Sequence, residues 1–273
     1  MKIGFLITAR LKSSRLPMKL MLPLNGRSVV ERVMDRAKQV LECEDVVLCT
    51  STANQDLPLI RKATENDIYY FAGDPDDVLA RLLDAANLFG FDYILGITAD
   101  NPLFSIYHAN LLADRIRWEP EIDFIYTTGL PLGTNLYAIK VKALETVCRV
   151  KQVIDTEIWG YLINRPEIFN VLEMKAAPEF GGDFRLTLDE MADYELFSSL
   201  YNEFGTDEIP DLLDVLRMLR RDTELAQLNS HIIQRDLDAQ TKQAIDAYYR
   251  ENLAQVKSIK DDIYGVQATN PTG

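Results

Sequence analysis

The chain has 273 residues, 47% of them hydrophobic, and a formal net charge of −13 at pH 7. This length can bury a full core in one large domain or in one domain with an appendage. The acidic balance argues against binding to long nucleic acid, which needs a broad basic face, and no apolar run reaches the roughly 18 residues of a membrane helix. Cysteine occurs three times without a CxxC pair, which favours free thiols in a reducing cytoplasm.

Strand and helix patterns alternate over the first 118 residues. Short apolar runs predict strands at 2–9, 45–50, 68–72 and 92–98, and amphipathic patterns predict helices from 28 to about 41, at 55–66 and at 78–89. Ser28, followed by Glu31 three residues later, has the spacing of a capping box. Strands that alternate with helices in this way indicate an α/β fold with a mostly parallel sheet.

The pattern is less regular beyond residue 120. Strands are predicted at 123–127, 134–140, 168–174 and 184–188, and helices at 141–150, 154–164 and 190–204. From Ile209 the pattern is helical to about Tyr264, with Pro210 at the first helical position. We therefore predict an α/β domain over residues 1–206, a helical extension packed on it over 207–265, and a disordered tail over 266–273.

A basic loop follows the first predicted strand. Residues 1–40 carry nine Lys or Arg against only Glu31 and Asp35, although the whole chain is acidic. Pro17 and Pro23 keep the segment from becoming a helix. Because open α/β sheets bind anions at the carboxyl ends of their strands, we interpret the loop as the site of a small anionic ligand rather than as a solvated charge run.

The loop carries the segment ITARLKSSRLPMKL at residues 7–20. It resembles the opening signature of the cytidylyltransferases that activate sugar acids, roughly (I/Q)-x-A-R-x-x-S-x-R-L-P-x-K, and most of all the SpsF-like branch. The resemblance implies a Rossmann-like sheet of the nucleotide-diphospho-sugar transferase (GT-A-like) type with C-terminal helices. In the usual signature a glycine follows Leu-Pro and lets backbone N–H groups wrap a phosphate, whereas this chain has Met18, whose φ is more restricted.

Two aspartates follow predicted strands, Asp100 in TADNPL and Asp189 in FRLTLDE. From spacing alone, Asp100 fits a helix cap as well as a cation ligand, and Asp189 fits a cap better. The segments resemble the family's T-x-D-x-P-L and R-x-T-x-D motifs. That resemblance implies that both carboxylates hold Mg²⁺, or Mn²⁺, and that Arg185 keeps Asp189 in place.

Three further stretches complete the resemblance. GDPDDVLARL at 73–82 is similar to the family's G-x-x-D-D-V-L-x-R, although Asp76 or Asp77 equally fits a helix cap and Arg81 an ordinary helix arginine. LNSHIIQR at 228–235 is similar to the terminal I-N-x-H-x-x-Q-K, where we expect His231 to be structural. The segment around Asn135 departs from the family's acidic and histidine positions.

The resemblance assigns a role to each candidate residue. Catalytic roles fall to Arg10, Arg15, Lys19 and Asp100. Nucleotide contacts are expected at Thr8, Ala9, Arg10, Ser14, Lys19, Gly73, Asp77, Arg81 and Thr98. Acceptor contacts are expected at Asn135, Tyr137, Glu157 and Arg185, with Lys140 as a further candidate.

We therefore predict a Mg²⁺-dependent cytidylyltransferase that transfers CMP from CTP to a small anionic acceptor (a sugar acid, phosphate or phosphonate) and releases pyrophosphate. The expected setting is synthesis of surface polysaccharide or capsule precursors by a cytoplasmic homodimer. Two alternatives stay open. Asp74-Pro75-Asp76 spells the D-x-D motif of GT-A-type glycosyltransferases, and Met18 together with the altered acceptor segment leaves room for a non-catalytic nucleotide-binding protein.

Overall fold

A seven-stranded sheet lies at the centre of the structure, a computed structural model that describes residues 1–153, 156 and 158–265. The strands are β1 (Ile3–Thr8), β2 (Pro23–Leu24), β3 (Arg27–Ser28), β4 (Asp45–Ser51), β5 (Tyr69–Gly73), β6 (Tyr93–Thr98), β7 (Phe124–Thr128), β8 (Tyr137–Lys140) and β9 (Val171–Lys175). The central sheet has the order β5-β4-β1-β6-β8-β7-β9, and β2 and β3 form a separate small hairpin. Strands β5, β4, β1 and β6 are parallel, while β8 runs antiparallel to both of its neighbours. The predicted mostly parallel sheet is confirmed.

Helices cover both faces of this sheet. They are α1 (Val29–Ala37), α2 (Leu57–Glu65), α3 (Val78–Phe89), α4 (Ile106–Trp118), α5 (Val141–Val150), α6 (Gly160–Ile163), α7 (Met191–Asn202), α8 (Leu212–Arg221), α9 (Thr223–Gln227), α10 (Ala239–Glu251) and α11 (Leu253–Tyr264). Side chains of β1 alternate between the two cores, with Phe5 in the cluster of α1, α4 and α7 and Leu6 in the cluster of α3 and α5. Leu216 of α8 joins the first cluster and Tyr249 of α10 the second, so the C-terminal helices pack on both sides of the sheet.

The capping box at the start of α1 forms as predicted. The backbone N–H of Ser28 donates to Oε2 of Glu31 at 2.8 Å. Burial opposes ionisation of Glu31, but the hydrogen bonds from Ser28 and Asn66 and the charge of Lys62 outweigh it and lower the pKa of Glu31 to about 2. The charged carboxylate thus fixes the point where the basic loop ends and α1 begins.

Several predicted elements differ from the structure. Residues 184–188 do not form a strand, because their backbone pairs with loops: Leu132 donates to Phe184 and accepts from Leu186, and Leu188 donates to Asp100. Pro210 is not the first helical residue, since Asp211 occupies the N-cap position of α8. Of the helix predicted at 154–164, only 160–163 is helical among the described residues; 154, 155 and 157 lie outside them, as does the predicted tail.

No helix within the described ranges is long and apolar enough to span a membrane. Cys43, Cys49 and Cys148 are free thiols, and burial raises the pKa of each to about 12. These thiols are therefore protonated and unreactive at neutral pH.

Candidate active site

The loops that follow β1, β5 and β6 meet at one edge of the sheet. Thr8 at the end of β1 lies opposite Thr98 at the end of β6, and Ser51 at the end of β4 lies opposite Gly73 at the end of β5. This edge is where open parallel sheets bind ligands. The register therefore brings the basic loop, the 73–77 loop and Asp100 together.

Lys19 lies at the centre of this edge. Its Nζ is 2.6 Å from Oδ2 of Asp100 and 2.9 Å from Oδ1 of Asp189, and it donates to the carbonyl oxygen of Leu188 at 2.8 Å. The three side chains are largely buried, with exposed fractions of 11%, 22% and 9% for Lys19, Asp100 and Asp189. One ammonium thus joins two carboxylates that belong to different parts of the chain.

The charged states of Lys19 and Asp189 stabilise each other. Burial lowers the pKa of Lys19, but the charges of Asp100 and Asp189 outweigh it and raise that pKa overall. Burial likewise opposes ionisation of Asp189, but Lys19, Arg15 and Arg185 lower its pKa. At neutral pH Lys19 and Asp189 therefore form an ion pair. The contacts of this pair can rearrange when an anion or a cation binds at the site.

The other cations of the loop also face carboxylates. Arg15 Nη2 is 2.8 Å from Oδ1 of Asp189. Arg10 and Lys12 approach Oδ1 of Asp76 at 3.5 and 3.2 Å. The loop therefore spans two acidic groups, one on the 73–77 loop and one at the Asp100–Asp189 pair.

Asp100 and Asp189 are not helix caps, so the alternative interpretation of both residues is wrong. Helix α4 begins after Ser105, whose hydroxyl accepts from the N–H of His108, and Glu190 occupies the N-cap position of α7. The hydroxyl of Thr98 donates to the second oxygen of Asp100 at 2.6 Å. Both carboxylates are therefore held at the sheet edge by contacts other than a helix terminus.

The donor set at this edge fits a hard divalent cation. Two carboxylate oxygens lie within 2.9 Å of one positive centre, Lys19 Nζ. Within the described part of the chain no group of three or more His, Cys, Asp or Glu residues is arranged to hold a metal. Mg²⁺ commonly takes one or two carboxylates and completes its shell with substrate phosphates and water, so two aspartates suffice.

Arg185 holds Asp189 through a buried ion-pair network. Its Nη2 donates to Oδ2 of Asp189 at 2.9 Å, and its Nε donates to Oδ1 of Asp193 at 2.9 Å. Asp193 is fully buried and also accepts from the N–H groups of Asp189 and Glu190. The sequence analysis did not identify Asp193 as a site residue because it lies inside a predicted helix. The spacing of Glu190 and Asp193, which is typical of a capping box, is the feature that could have identified it.

The 73–77 loop is shaped by its own aspartates. Oδ1 of Asp74 accepts from the N–H groups of Asp76 and Asp77, and Asp77 caps α3 by accepting from Ala80. Arg81 is fully buried and donates to the carbonyl oxygen of Asp74 at 2.7 Å. Asp74 of the D-x-D sequence thus shapes the turn, and Asp76 faces the cations of the basic loop.

The remaining nucleotide candidates surround this loop. Ala9 is buried and donates its N–H to Cys49, while Thr8 is half-buried at the end of β1. Ser14 is exposed on the basic loop, and Thr98 is exposed at the end of β6. The structure therefore places Thr8, Ser14 and Thr98 on loops and strand ends of the same edge.

The acceptor candidates are less closely grouped. Asn135 donates to the carbonyl oxygens of residues 130 and 131 within its own turn. Tyr137 packs its hydroxyl against Gly96, and burial raises the pKa of that hydroxyl. Lys140 pairs with Tyr93 at the opposite end of β6, so its proposed contact with an acceptor at this edge is wrong. Glu157 lies outside the described residues.

Met18 adopts the left-handed conformation that a glycine would take, with φ 57° and ψ 21°. It precedes the 3-10 turn Lys19–Met21, and the N–H of Met21 closes that turn on the carbonyl oxygen of Met18 at 2.8 Å. The loop geometry expected of a glycine is therefore kept at a steric cost of about 1–2 kcal/mol. The argument from Met18 for a non-catalytic protein loses its basis.

We expect Met18→Gly to stabilise the fold by about 0.5–1 kcal/mol, because relief of the left-handed strain exceeds the entropy that glycine loses on folding. Urea unfolding measures the difference. Met18→Ala is the matched control: it keeps the strain and removes only a side chain that is 44% exposed, so it stays near wild type. A Met18→Gly variant less stable than Met18→Ala would show that residue 18 is not strained.

A family model described as cytidylyltransferase matches residues 5–194, which is more than half of the chain. The spore coat polysaccharide biosynthesis protein SpsF of Bacillus subtilis is 25% identical over 234 residues, 82% of this chain and 96% of that protein. The range that the family model matches contains the basic loop, Asp100 and Asp189.

Solved structures give the same result at the level of the fold. A cytidylyltransferase from Leptospira borgpetersenii serovar Hardjo-bovis has a TM-score of 0.78 at 26% identity and covers 86% of this chain and 100% of its own. A CMP:2-keto-3-deoxy-manno-octonic acid synthetase complexed with CTP has a TM-score of 0.61 at 16% identity, covering 74% of this chain and 99% of its own. The latter likeness shows a shared fold.

Proposed function

Because the chain belongs to the cytidylyltransferase family, we propose that it transfers the cytidylyl group of CTP to a small anionic acceptor with the help of Mg²⁺ or Mn²⁺. One observation carries the proposal. The ammonium of Lys19 lies between Asp100 and Asp189 at the sheet edge where Arg10 and Arg15 also lie. A triphosphate needs such cations, and a divalent ion needs such carboxylates.

In the proposed reaction an acceptor oxygen attacks the α-phosphorus of CTP in line. A bond forms between that oxygen and the α-phosphorus, the bond from the α-phosphorus to the bridging oxygen breaks, and pyrophosphate leaves with the electron pair. Arg10, Arg15 and Lys19 bind the triphosphate by charge-assisted hydrogen bonds that strengthen as negative charge builds on the leaving group. Asp100 and Asp189 would hold the metal ion, which would neutralise charge on the reacting phosphates.

The acceptor supplies its own ionised oxygen in this scheme. The carboxylates at the site, Asp76, Asp100 and Asp189, all pair with cations of the loop, and the proposal assigns none of them as a general base. A carboxylate, phosphate or phosphonate acceptor attacks through an oxygen that is already ionised and needs no general base. A sugar acid that attacks through a hydroxyl needs that oxygen to be activated, and its own carboxylate can help to do so. We propose surface polysaccharide or capsule precursors as the destination, as the name of SpsF suggests, and a cytoplasmic homodimer as the working form.

The test is pyrophosphate release from CTP and Mg²⁺ against a panel of sugar acids, sugar phosphates and phosphonates. We expect one acceptor class to release pyrophosphate, formation of the CMP conjugate in equal amount, and loss of the signal when the metal is chelated. Reactions without acceptor and with UTP are the controls. Release of a nucleoside diphosphate from a nucleotide sugar, or CTP binding without turnover on the whole panel, would contradict the proposal.

A further inference from the structure

The non-helical segment after α9 returns the chain to the Asp189 site. Asn229 is 1% exposed, and its amide donates to the carbonyl oxygen of Arg185 at 3.0 Å and to Oδ1 of Asp193 at 2.7 Å. Oε1 of Gln234 accepts from Nη1 of Arg185 at 2.6 Å. His231, between them, is exposed, and these contacts to Arg185 and Asp193 are made by Asn229 and Gln234 instead.

These contacts complete the environment of the Arg185 guanidinium. Nε and Nη2 donate to Asp193, Nη2 also donates to Asp189, and Nη1 donates to Gln234. All three nitrogens are engaged, and the side chain is only 6% exposed. The planar guanidinium is therefore fixed in rotation as well as in position.

The fixed guanidinium decides which oxygen of Asp189 faces the ligand. Arg185 takes Oδ2, while Oδ1 points toward Lys19 and Arg15. A divalent ion of the magnesium type demands near-ideal geometry from each ligand oxygen. A carboxylate free to rotate would lose that geometry.

We propose that Asn229 and Gln234 are positioning residues for the metal ligand Asp189 and act through Arg185 and Asp193. The C-terminal segment then takes part in metal binding, although it lies beyond the part of the chain matched by the family model. This inference rests on the proposed function, because it takes Asp189 to be a metal ligand. Partners of this kind typically change metal affinity by 10- to 100-fold.

The test measures CTP affinity of the full chain by calorimetry, without acceptor, in EDTA and over a series of Mn²⁺ concentrations. Gln234→Ala is the main variant because Gln234 is exposed and its loss leaves the buried Asn229 and Asp193 in place. We expect unchanged CTP affinity in EDTA and an unchanged unfolding midpoint. The Mn²⁺ concentration that gives half of the gain in affinity rises about tenfold.

Two variants serve as controls. Gln234→Glu keeps an acceptor for Nη1 and restores the Mn²⁺ requirement of the wild type. Ile233→Ala removes a neighbouring side chain that is 88% exposed and leaves every measurement unchanged. A wild-type Mn²⁺ requirement in Gln234→Ala, or an equal loss of affinity in EDTA, would overturn the positioning role alone. If Mn²⁺ does not improve CTP binding to the wild type, the metal in the proposed function is wrong and this inference falls with it.

Discussion

Asp100→Ala is expected to lower pyrophosphate release by about 10²-fold or more, because in the proposed function the metal ion loses one of its two protein ligands where charge develops on the phosphates. Asp100→Asn, which keeps the shape and removes the charge, should lose a similar factor. The measurement is the rate of pyrophosphate release with the acceptor found in the panel. The fold should persist, since the side chain is 22% exposed at the sheet edge and caps no helix.

Asp114→Ala is the matched control for this loss. Asp114 is an exposed aspartate on α4, away from the Lys19 cluster, and its removal should leave the rate unchanged. Equal unfolding midpoints for all variants would separate chemistry from folding. A near-wild-type rate for Asp100→Ala would exclude Asp100 as a metal ligand.

Lys19→Ala should weaken binding of CTP by about 10- to 100-fold and binding of CMP much less, because the hydrogen bonds proposed from Lys19 to the β- and γ-phosphates would be worth roughly 1.5–3 kcal/mol each. Arg10→Ala should show the same difference between the two nucleotides. Calorimetry in Mg²⁺ measures the affinities for CTP and CMP.

The same Lys19→Ala change removes the ammonium from between Asp100 and Asp189. Mn²⁺ should therefore bind the nucleotide-free variant more tightly than it binds the nucleotide-free wild type.

Lys12→Ala serves as the comparison within the same loop. Its side chain is 62% exposed and pairs with Asp76 rather than with the Asp100–Asp189 pair, so CTP affinity should change little. Equal losses of CTP and CMP affinity in Lys19→Ala would mean that Lys19 does not bind the β- and γ-phosphates. Unchanged Mn²⁺ binding would mean that the ammonium and the metal use different positions.

Local sequence patterns were sufficient to predict elements whose alternation of apolar and polar residues matches their burial in the fold. The apolar runs of β1, β4, β5 and β6 and the capping box of Ser28 and Glu31 follow from neighbouring residues alone. The same patterns were misleading at 184–188, where an alternating run pairs with loops instead of with a strand. Periodicity describes one segment and says nothing about which backbone lies beside it.

The candidate site divides in the same way. The sequence by itself determined which functional groups are present and where they lie along the chain. It has a basic loop after the first strand, aspartates after later apolar runs, and in these residues a likeness to cytidylyltransferases. It also determined that Met18 replaces the usual glycine. The backbone conformation at Met18 came only from the structure, because a left-handed φ of 57° is imposed by the surrounding loop against the preference of the residue.

Only the tertiary structure decided which charges meet. Lys19 is separated from Asp100 by 81 positions and from Asp189 by 170, and the parallel register of β1 and β6 together with the path of 184–189 brings them within hydrogen-bonding distance. The return of Asn229 and Gln234 to Arg185 depends on how α8 and α9 pack against the sheet. Burial makes this arrangement necessary, because a cation that is removed from water is stable only beside carboxylates, which the fold supplies here.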